Sequence, residues 1–364
     1  MSQFSIRKLA RSDVDQLREL LATRDDTDGE ELDRRLDMMK WLAFDNPVAD
    51  GETTYFVAEA EGKLVGHLGR MPNNFLIDGK VVRGYYIHDL FVCPAYRQKG
   101  MGLFVSLELY KATKEESDSF CVLPWATPLN LRIQRRLPFY HEVALDNYVK
   151  ILKAEVVLHS LVKSGRLLQL LSWVPNALLS TIDTVMQNMS SVEVERVERF
   201  DERFDALNES LGSRLGICSA KTAEFLNWKY IDRPVTSHHV YAVFEEDKVL
   251  GFVSLGLAPY LNHGQPVGLI MDLTADPADK KTISALVAKA VSHFRALGAG
   301  TIQCILTQPG IASGLKRHLF LHRDAWKQPM MLGNLEKCQV PGMDLSDMRL
   351  WHMTKGESDG SMFL

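Results

Sequence analysis

Hydrophobic spacing along the chain switches between the two-residue period of a strand and the 3.6-residue period of a helix. Ser5 to Leu9 predicts a first strand. Ser12 or Asp13 is placed to cap a helix on which Val14, Leu17, Leu20 and Leu21 share one side. A charged stretch from Arg24 to Glu31 leads into a second helix near Leu32 to Phe44. Strand-like runs follow at Tyr55 to Ala60 and Leu64 to Arg70, with Glu61-Gly62-Lys63 between them as a hairpin turn. Next come a strand from Tyr85 to Val92, a glycine-bearing loop from Arg97 to Gly102 and an amphipathic helix reaching Glu116. A short buried strand (Phe120 to Leu123), a helix (about Leu129 to Leu137) and a long strand (Tyr140 to Leu152) complete a first unit.

Ala154 to Met189 reads as helical and carries no motif. From Val192 the pattern starts again. Tyr241-Ala242-Val243-Phe244 with Asp247-Lys248 repeats the earlier hairpin, and Gly251 answers Gly66. Met271 to Pro277 answers His88 to Pro94, with 183 positions between Asp89 and Asp272 and again between Pro94 and Pro277. An amphipathic helix through Ile283, Leu286, Ala290 and Phe294 follows, then a strand at Gln303 to Leu306. The expected organisation is a unit at 1–153, a helical linker at 154–191, a second unit at 192–335 and a tail at 336–364.

A chain of 364 residues is comfortable for two such units. A net charge of −4 gives no global argument for nucleic acid or an anionic membrane. The five cysteines are scattered without metal-ligand spacing and read as thiols of a reducing cytoplasm. The opening MSQFSIRKLARSD lacks the apolar core of a signal peptide, and no run is long and apolar enough to span a bilayer. The nearest, Leu167 to Ile182, is interrupted by Pro175 and Asn176. It reads either as a pair of core-packing helices between the units or as an interfacial helix on a membrane or partner.

The chemistry concentrates at Arg97-Gln98-Lys99-Gly100-Met101-Gly102. A turn that opens a helix aims unpaired N–H groups at one point, at the positive end of the helix dipole. Gly100 and Gly102 present no Cβ, and Arg97 and Lys99 add positive charge, so a pyrophosphate fits there. The phosphate loops GxxxxGK[ST] and GxGxxG are both absent. With the preceding Val92-Cys93-Pro94-Ala95-Tyr96, the run resembles motif A of the GNAT superfamily of acyl-CoA-dependent N-acyltransferases, V-x-P-x-[YF]-[RQ]-x-x-G-x-[GA].

The resemblance implies a mixed α/β fold whose central sheet splays to admit the pantetheine arm, here in two tandem copies like those of large bacterial GNAT proteins. It implies acetyl-CoA as co-substrate, no metal, and a small-molecule primary amine as acceptor. The loop from Arg97 to Gly102 would hold the pyrophosphate, and the main chain at Phe91 and Val92 the pantetheine and carbonyl. Asn130 would reach the cofactor. Arg132, Arg135 and Arg136 would meet the 3′-phosphate, or else form a solvated basic face. His88 stands where polyamine acetyltransferases carry a glutamate proposed as base, and a packed strand histidine is the alternative. Asp89 is expected on the opposite strand face, in a structural role that Asp272 repeats. The family's acid tyrosine is replaced by Gln134, which leaves Tyr140 or Tyr148 as donor, against packing in the strand or protonation by solvent or substrate.

In the second half Arg97, Gly100 and Gly102 become Lys280, Ile283 and Ala285, a pattern that has lost the ligand loop. Three functions stay open: an N-acetyltransferase, a non-catalytic acyl-CoA sensor or scaffold, and a transferase for a longer acyl donor.

Overall fold

The computed structural model describes residues 4–24, 28–98, 101–115, 119–124, 127–159, 165–189, 192–235, 238–335 and 343–357. The first half supplies strands β1 (Phe4–Lys8), β2 (Tyr55–Ala60), β3 (Lys63–Ile77), β4 (Lys80–Val92), β5 (Cys121–Leu123), β6 (Tyr140–Leu145) and β7 (Asn147–Ile151). Its helices are α1 (Val14–Leu21), α2 (Gly29–Phe44), α3 (Pro94–Gln98), α4 (Gly102–Glu115) and α5 (Pro128–Gln134). A short helix, α6 (Glu155–Leu158), and a 24-residue helix, α7 (Gly165–Asn188), join the halves. The second half supplies β8 (Glu195–Val197), β9 (Ile217–Ser219), β10 (His239–Glu245), β11 (Lys248–Asn262), β12 (Gln265–Ala275), β13 (Thr301–Ile305), β14 (Leu321–His322), β15 (Gln328–Gly333) and β16 (Trp351–His352). Its helices are α8 (Glu202–Leu211), α9 (Ala223–Leu226), α10 (Lys280–Ala296) and α11 (Pro309–Arg317).

Two mixed sheets result, in the orders β1-β2-β3-β4-β5-β15-β6 and β14-β7-β13-β12-β11-β10-β8. The repeat read from the sequence is present in space: the hairpin β10–β11 corresponds to β2–β3, β12 to β4, α10 to α4 and β13 to β5. The repeat reaches the irregularities too. β4 carries an extra residue against β3 between the pairs Gly69↔His88 and His67↔Phe91, and β12 slips against β11 between Ser254↔Asp272 and Leu255↔Ile270.

The expected long strand from Tyr140 to Leu152 is two strands in two sheets. The chain leaves the first sheet at Asp146, so that β6 pairs with β15 while β7 pairs with β13 and β14. In return β15, from the second half, fills the place between β5 and β6. Each sheet therefore contains a strand from the other half, and a cut at residue 153 separates neither. Alternation along 140–152 could not reveal this, because both strands carry apolar residues toward a core whichever sheet they join.

β3 runs on past Arg70 to Ile77, although Pro72-Asn73-Asn74 looks like a break. Part of that run bonds across the halves: Asn73 Nδ2 donates to Ser219 Oγ at 3.2 Å, the Ala220 N–H donates to Asn74 O at 2.7 Å, and β9 pairs with Phe75 to Ile77. α7 is likewise continuous through Pro175. Of the five cysteines, Cys121, Cys218 and Cys304 are buried and Cys93 is half-buried, none of these four in a disulfide; Cys338 lies outside the described residues.

Candidate functional site

The parallel pairing of β4 with β5 is limited to Tyr85↔Cys121 and Tyr86↔Val122. Beyond Tyr86, β4 continues to Val92 with no strand on that side among the described residues, so its main-chain groups face an opening rather than a ladder. A cavity of about 470 Å³ occupies this opening. β4 contributes Leu90, Phe91 and Val92; α3 and α4 contribute Arg97, Gly102, Leu103 and Ser106; α5 contributes Leu129, Asn130, Arg132 and Ile133, and the turn after it Arg136. Three guanidinium groups and no carboxylate are among these residues, which makes the cavity an electropositive cleft with an apolar floor.

Local sequence explains the walls. Thr127 caps α5 by accepting from the Asn130 N–H at 3.3 Å, and Pro128 fits the first turn because it lacks an N–H to satisfy. Arg132 in the last turn of α5 and Arg136 in the turn that follows both face the cleft. Arg135 points elsewhere and pairs with Glu142 at 2.6 Å. The arginine-rich run thus divides into two cleft residues and one surface ion pair.

The expected anion loop takes a different form. Arg97 belongs to a short helix, its N–H bonded to Cys93 O at 3.2 Å, and the Met101 N–H is bonded to Tyr96 O at 3.1 Å. Lys99 and Gly100 lie outside the described residues, as does the side chain of Gln98. The donors left over by helix geometry are those of the first turn of α4, beginning at Gly102, where the Val105 N–H is the first to reach an intrahelical acceptor, Met101 O. Gly102 itself answers to packing. A Cβ there would lie 2.9 Å from Arg97 Cγ and 3.1 Å from Arg97 Cα, so glycine lets α3 rest on the start of α4.

The inner end of the cleft meets a ring cluster on the opposite face of the sheet. The Phe91 ring, which lines the cleft, lies 5.7 Å from His67 and is flanked by the guanidinium groups of Arg24 and Arg97. His67 and His88 both pack against Tyr55, at 5.9 and 5.3 Å between ring centres. Tyr55 Oη donates to Asp89 Oδ2 at 3.2 Å, and His67 Nδ1 lies 3.7 Å from the same oxygen. Asp89 therefore reaches the same cluster as His88, contrary to strict alternation. The extra residue in β4, with Asp89 in the left-handed region at φ 48°, swings its side chain round. Asp272 does something else: it is buried with Lys221 at 2.6 Å and Tyr230 at 3.2 Å.

His88 is buried and neither ring nitrogen has a hydrogen-bond partner. Burial pushes its pKa down to about 4, with Asp89 pulling in the other direction, so the ring is neutral at pH 7. Tyr140 does not line the cleft. It is buried beside Phe139 and Tyr110, at 4.5 and 6.0 Å, and burial raises its phenol well above the usual range. Gln134 donates to Tyr110 Oη at 2.9 Å, inside the core. Tyr148 lies in the second sheet against His322. Sequence reasoning missed Leu90, Leu103, Ser106, Leu129 and Ile133 as cleft residues, and Tyr55 and His67 as companions of His88. Helical spacing in α4 and α5 carried a signal for the first group apart from Leu90, which lies on β4. The second depended on the β4 irregularity.

The second unit has no equivalent opening among the described residues. β12 and β13 stay paired over four positions, Val267↔Thr301 to Ile270↔Cys304. The start of α10 is occupied by the chain's own carboxylate, since Asp279 Oδ1 accepts from the N–H groups of Lys281 and Thr282 at 3.1 Å each. Ile283 is buried against Gly314.

The sheet splays where β4 and β5 part, and α4 starts at the mouth of that opening. Residues 14–121 match the family model described as Acetyltransferase (GNAT) family. That match lies within the first unit, and across both sheets the chain shares the fold of solved GCN5-related N-acetyltransferases. Among solved structures, it is similar to a GCN5-related N-acetyltransferase from Anabaena variabilis (TM-score 0.59, 14% identity, covering 91% of this chain and 72% of that one). It is also similar to one from Kribbella flavida (TM-score 0.56, 17% identity, 91% and 71%). N-myristoyltransferase of Saccharomyces cerevisiae with bound myristoyl-CoA shares the fold as well (TM-score 0.54, 14% identity, 92% and 82%). No curated protein matches the chain in sequence.

Proposed function

We propose that the protein transfers an acetyl group from acetyl-CoA to a primary amine of a small molecule. The observation that carries this reading is the unpaired end of β4 facing a cleft with three arginines and no acid. The main chain at Phe91 and Val92 would hold the pantetheine and thioester. Arg97 and the first turn of α4 would hold the pyrophosphate, with Lys99 and Gly100 as the remaining members of the motif. Asn130, Arg132 and Arg136 would reach the nucleotide end. An acetyl group asks least of the ring cluster, since His67 and His88 are already closely packed against Tyr55.

In the reaction the amine nitrogen forms a bond to the carbonyl carbon, the C–S bond breaks, and the ammonium proton is finally carried by the thiol. His88, neutral and with an unoccupied ring nitrogen, is the proposed acceptor of that proton. No phenol reaches the cleft among the residues that line it, so the thiolate is protonated by solvent or by the proton released from the amine.

Acceptor-dependent thiol release from acetyl-CoA over a panel of amines tests the reading. His88→Gln should lower kcat about 100-fold while CoA affinity stays within about threefold. The depressed basicity of His88 also favours a second reading, a non-catalytic acyl-CoA sensor. Tight CoA binding with no amine-dependent thiol release would establish the sensor instead. If myristoyl-CoA displaced acetyl-CoA and was the better donor, the acetyl assignment would fall.

A further inference from the structure

α7 presents its polar side to the protein and its apolar side to solvent. Asn176 Oδ1 accepts from the Ala154 N–H at 2.7 Å, and its Nδ2 donates to the Glu155 carboxylate at 2.9 Å. Ser172 Oγ donates to the same carboxylate, and Asp183 pairs with Lys150 at 2.9 Å and with Arg295. On the other side Leu167, Leu170, Leu171, Trp173, Val174 and Leu178 are exposed, Leu170 to 74% and Trp173 to 73%. At about 100° per residue these six side chains cover an arc of roughly 160°. A helix on the surface of a globular domain normally turns these two sides the other way.

Charge and area indicate what covers this face. Arg166 and Asp183 are the only ionisable residues of the helix, and Asp183 is turned inward, so the helix itself places no carboxylate beside the apolar arc. The 24-residue helix is about 36 Å long, and a stripe about 10 Å wide offers roughly 360 Å². Two copies joined along it would bury about 700 Å², short of the roughly 1,200 Å² of a stable specific interface. The arc is also wider than the two-position seam of a helix pair. A bilayer needs no complementary shape and rewards apolar area in proportion. The stacked rings of His159 and His263, 4.5 Å apart, bring the β11–β12 hairpin beside α6, and that hairpin exposes Tyr260 and Leu261 as a second apolar element. Among the described residues no helix is long and apolar enough to cross a membrane.

We propose that α7 lies flat on a lipid bilayer, with the side running from Leu167 to Leu178 sunk into the interfacial layer.

Sedimentation of the full chain with phosphatidylcholine vesicles, with and without added phosphatidylglycerol, provides the test. The wild type should sediment with both. The combined variant Leu170→Glu, Val174→Glu and Leu178→Glu should show at least a tenfold smaller bound fraction, roughly, with its melting temperature unchanged because all three positions are exposed. Brominated lipid should quench tryptophan emission in the wild type and not in Trp173→Phe, a readout that does not depend on the triple variant folding. A wild type that stays in the supernatant overturns the proposal. So does binding that survives the triple substitution, or a wild-type dimer that the variant converts to monomer without any vesicle association.

Discussion

Arg135 separates ligand recognition from surface charge within a single helical turn. Arg97, Arg132 and Arg136 line the cleft, whereas Arg135 is held by Glu142 outside it. Charge-assisted contacts to phosphate are worth about 1.5–3 kcal/mol. Arg132→Ala or Arg97→Ala should therefore weaken coenzyme A binding about tenfold or more by calorimetry. Arg135→Ala should change it less than about twofold, because an exposed ion pair contributes little. Equal losses at all three positions would mean that the bound nucleotide rearranges α5. His88 is the complementary case, a residue legible in the sequence as a candidate while its company was not. Tyr55 and Asp89 join it only because β4 carries an extra residue, and strand alternation had placed Asp89 on the far side.

Two glycines fix how elements approach the cleft. Gly102 brings the end of α3 onto the start of α4, and Gly66 lets β3 pass the irregular part of β4, where an added Cβ would lie 2.9 Å from Phe91 O. Gly102→Ala should destabilise the protein by about 1–3 kcal/mol, since the clash is with Arg97 main chain as well as side chain. The check is a thermal melt alongside coenzyme A titration; an unchanged melt would show that α3 is free to slide. The motif read from the sequence located this junction correctly but assigned Gly102 only to ligand approach. Its packing partner, Arg97, lies five positions earlier in the chain, and their contact follows from the angle between two helices.

At the scale of the molecule, the exchanged strands bind the halves together. Without residues 154–364, β5 and β6 lose β15 between them and β7 loses its whole sheet. A fragment 1–153 should accordingly fail to give a dispersed NMR spectrum, although the sequence reads as a unit ending there. A folded, coenzyme A-binding fragment would contradict the exchange. Buried histidines set the acid limit. Burial lowers His88 to about 4, His238 to about 3 and His318 to about 4 from an ordinary 6.5. The unfolded chain binds more protons than the native one between those values, so stability is full above pH 6.5 and falls as pH drops. For His88 the loss reaches about 3 kcal/mol below pH 4. Melting temperature followed from pH 7 to 4 should decline steadily, and less steeply in His88→Gln.

Local chemistry was enough to read the duplication, the strand–helix junction at residues 92–102 and the arginines of α5, because spacing, glycines and charge act over a few residues. The retreat of the second unit was also legible, since Ile283 and Ala285 replace the glycines. Tertiary structure decided which sheet each of β6, β7 and β15 joins, that Tyr140 and Tyr148 lie away from the cleft, and which side of α7 meets the protein. A period of two says that a strand has an inner face but not which core receives it, and a period near four gives a helix two sides without saying which is outside. Those choices are made by partners far away in the chain: β15 for β6, Glu155 for Asn176, and β4's extra residue for the meeting of Asp89 with Tyr55.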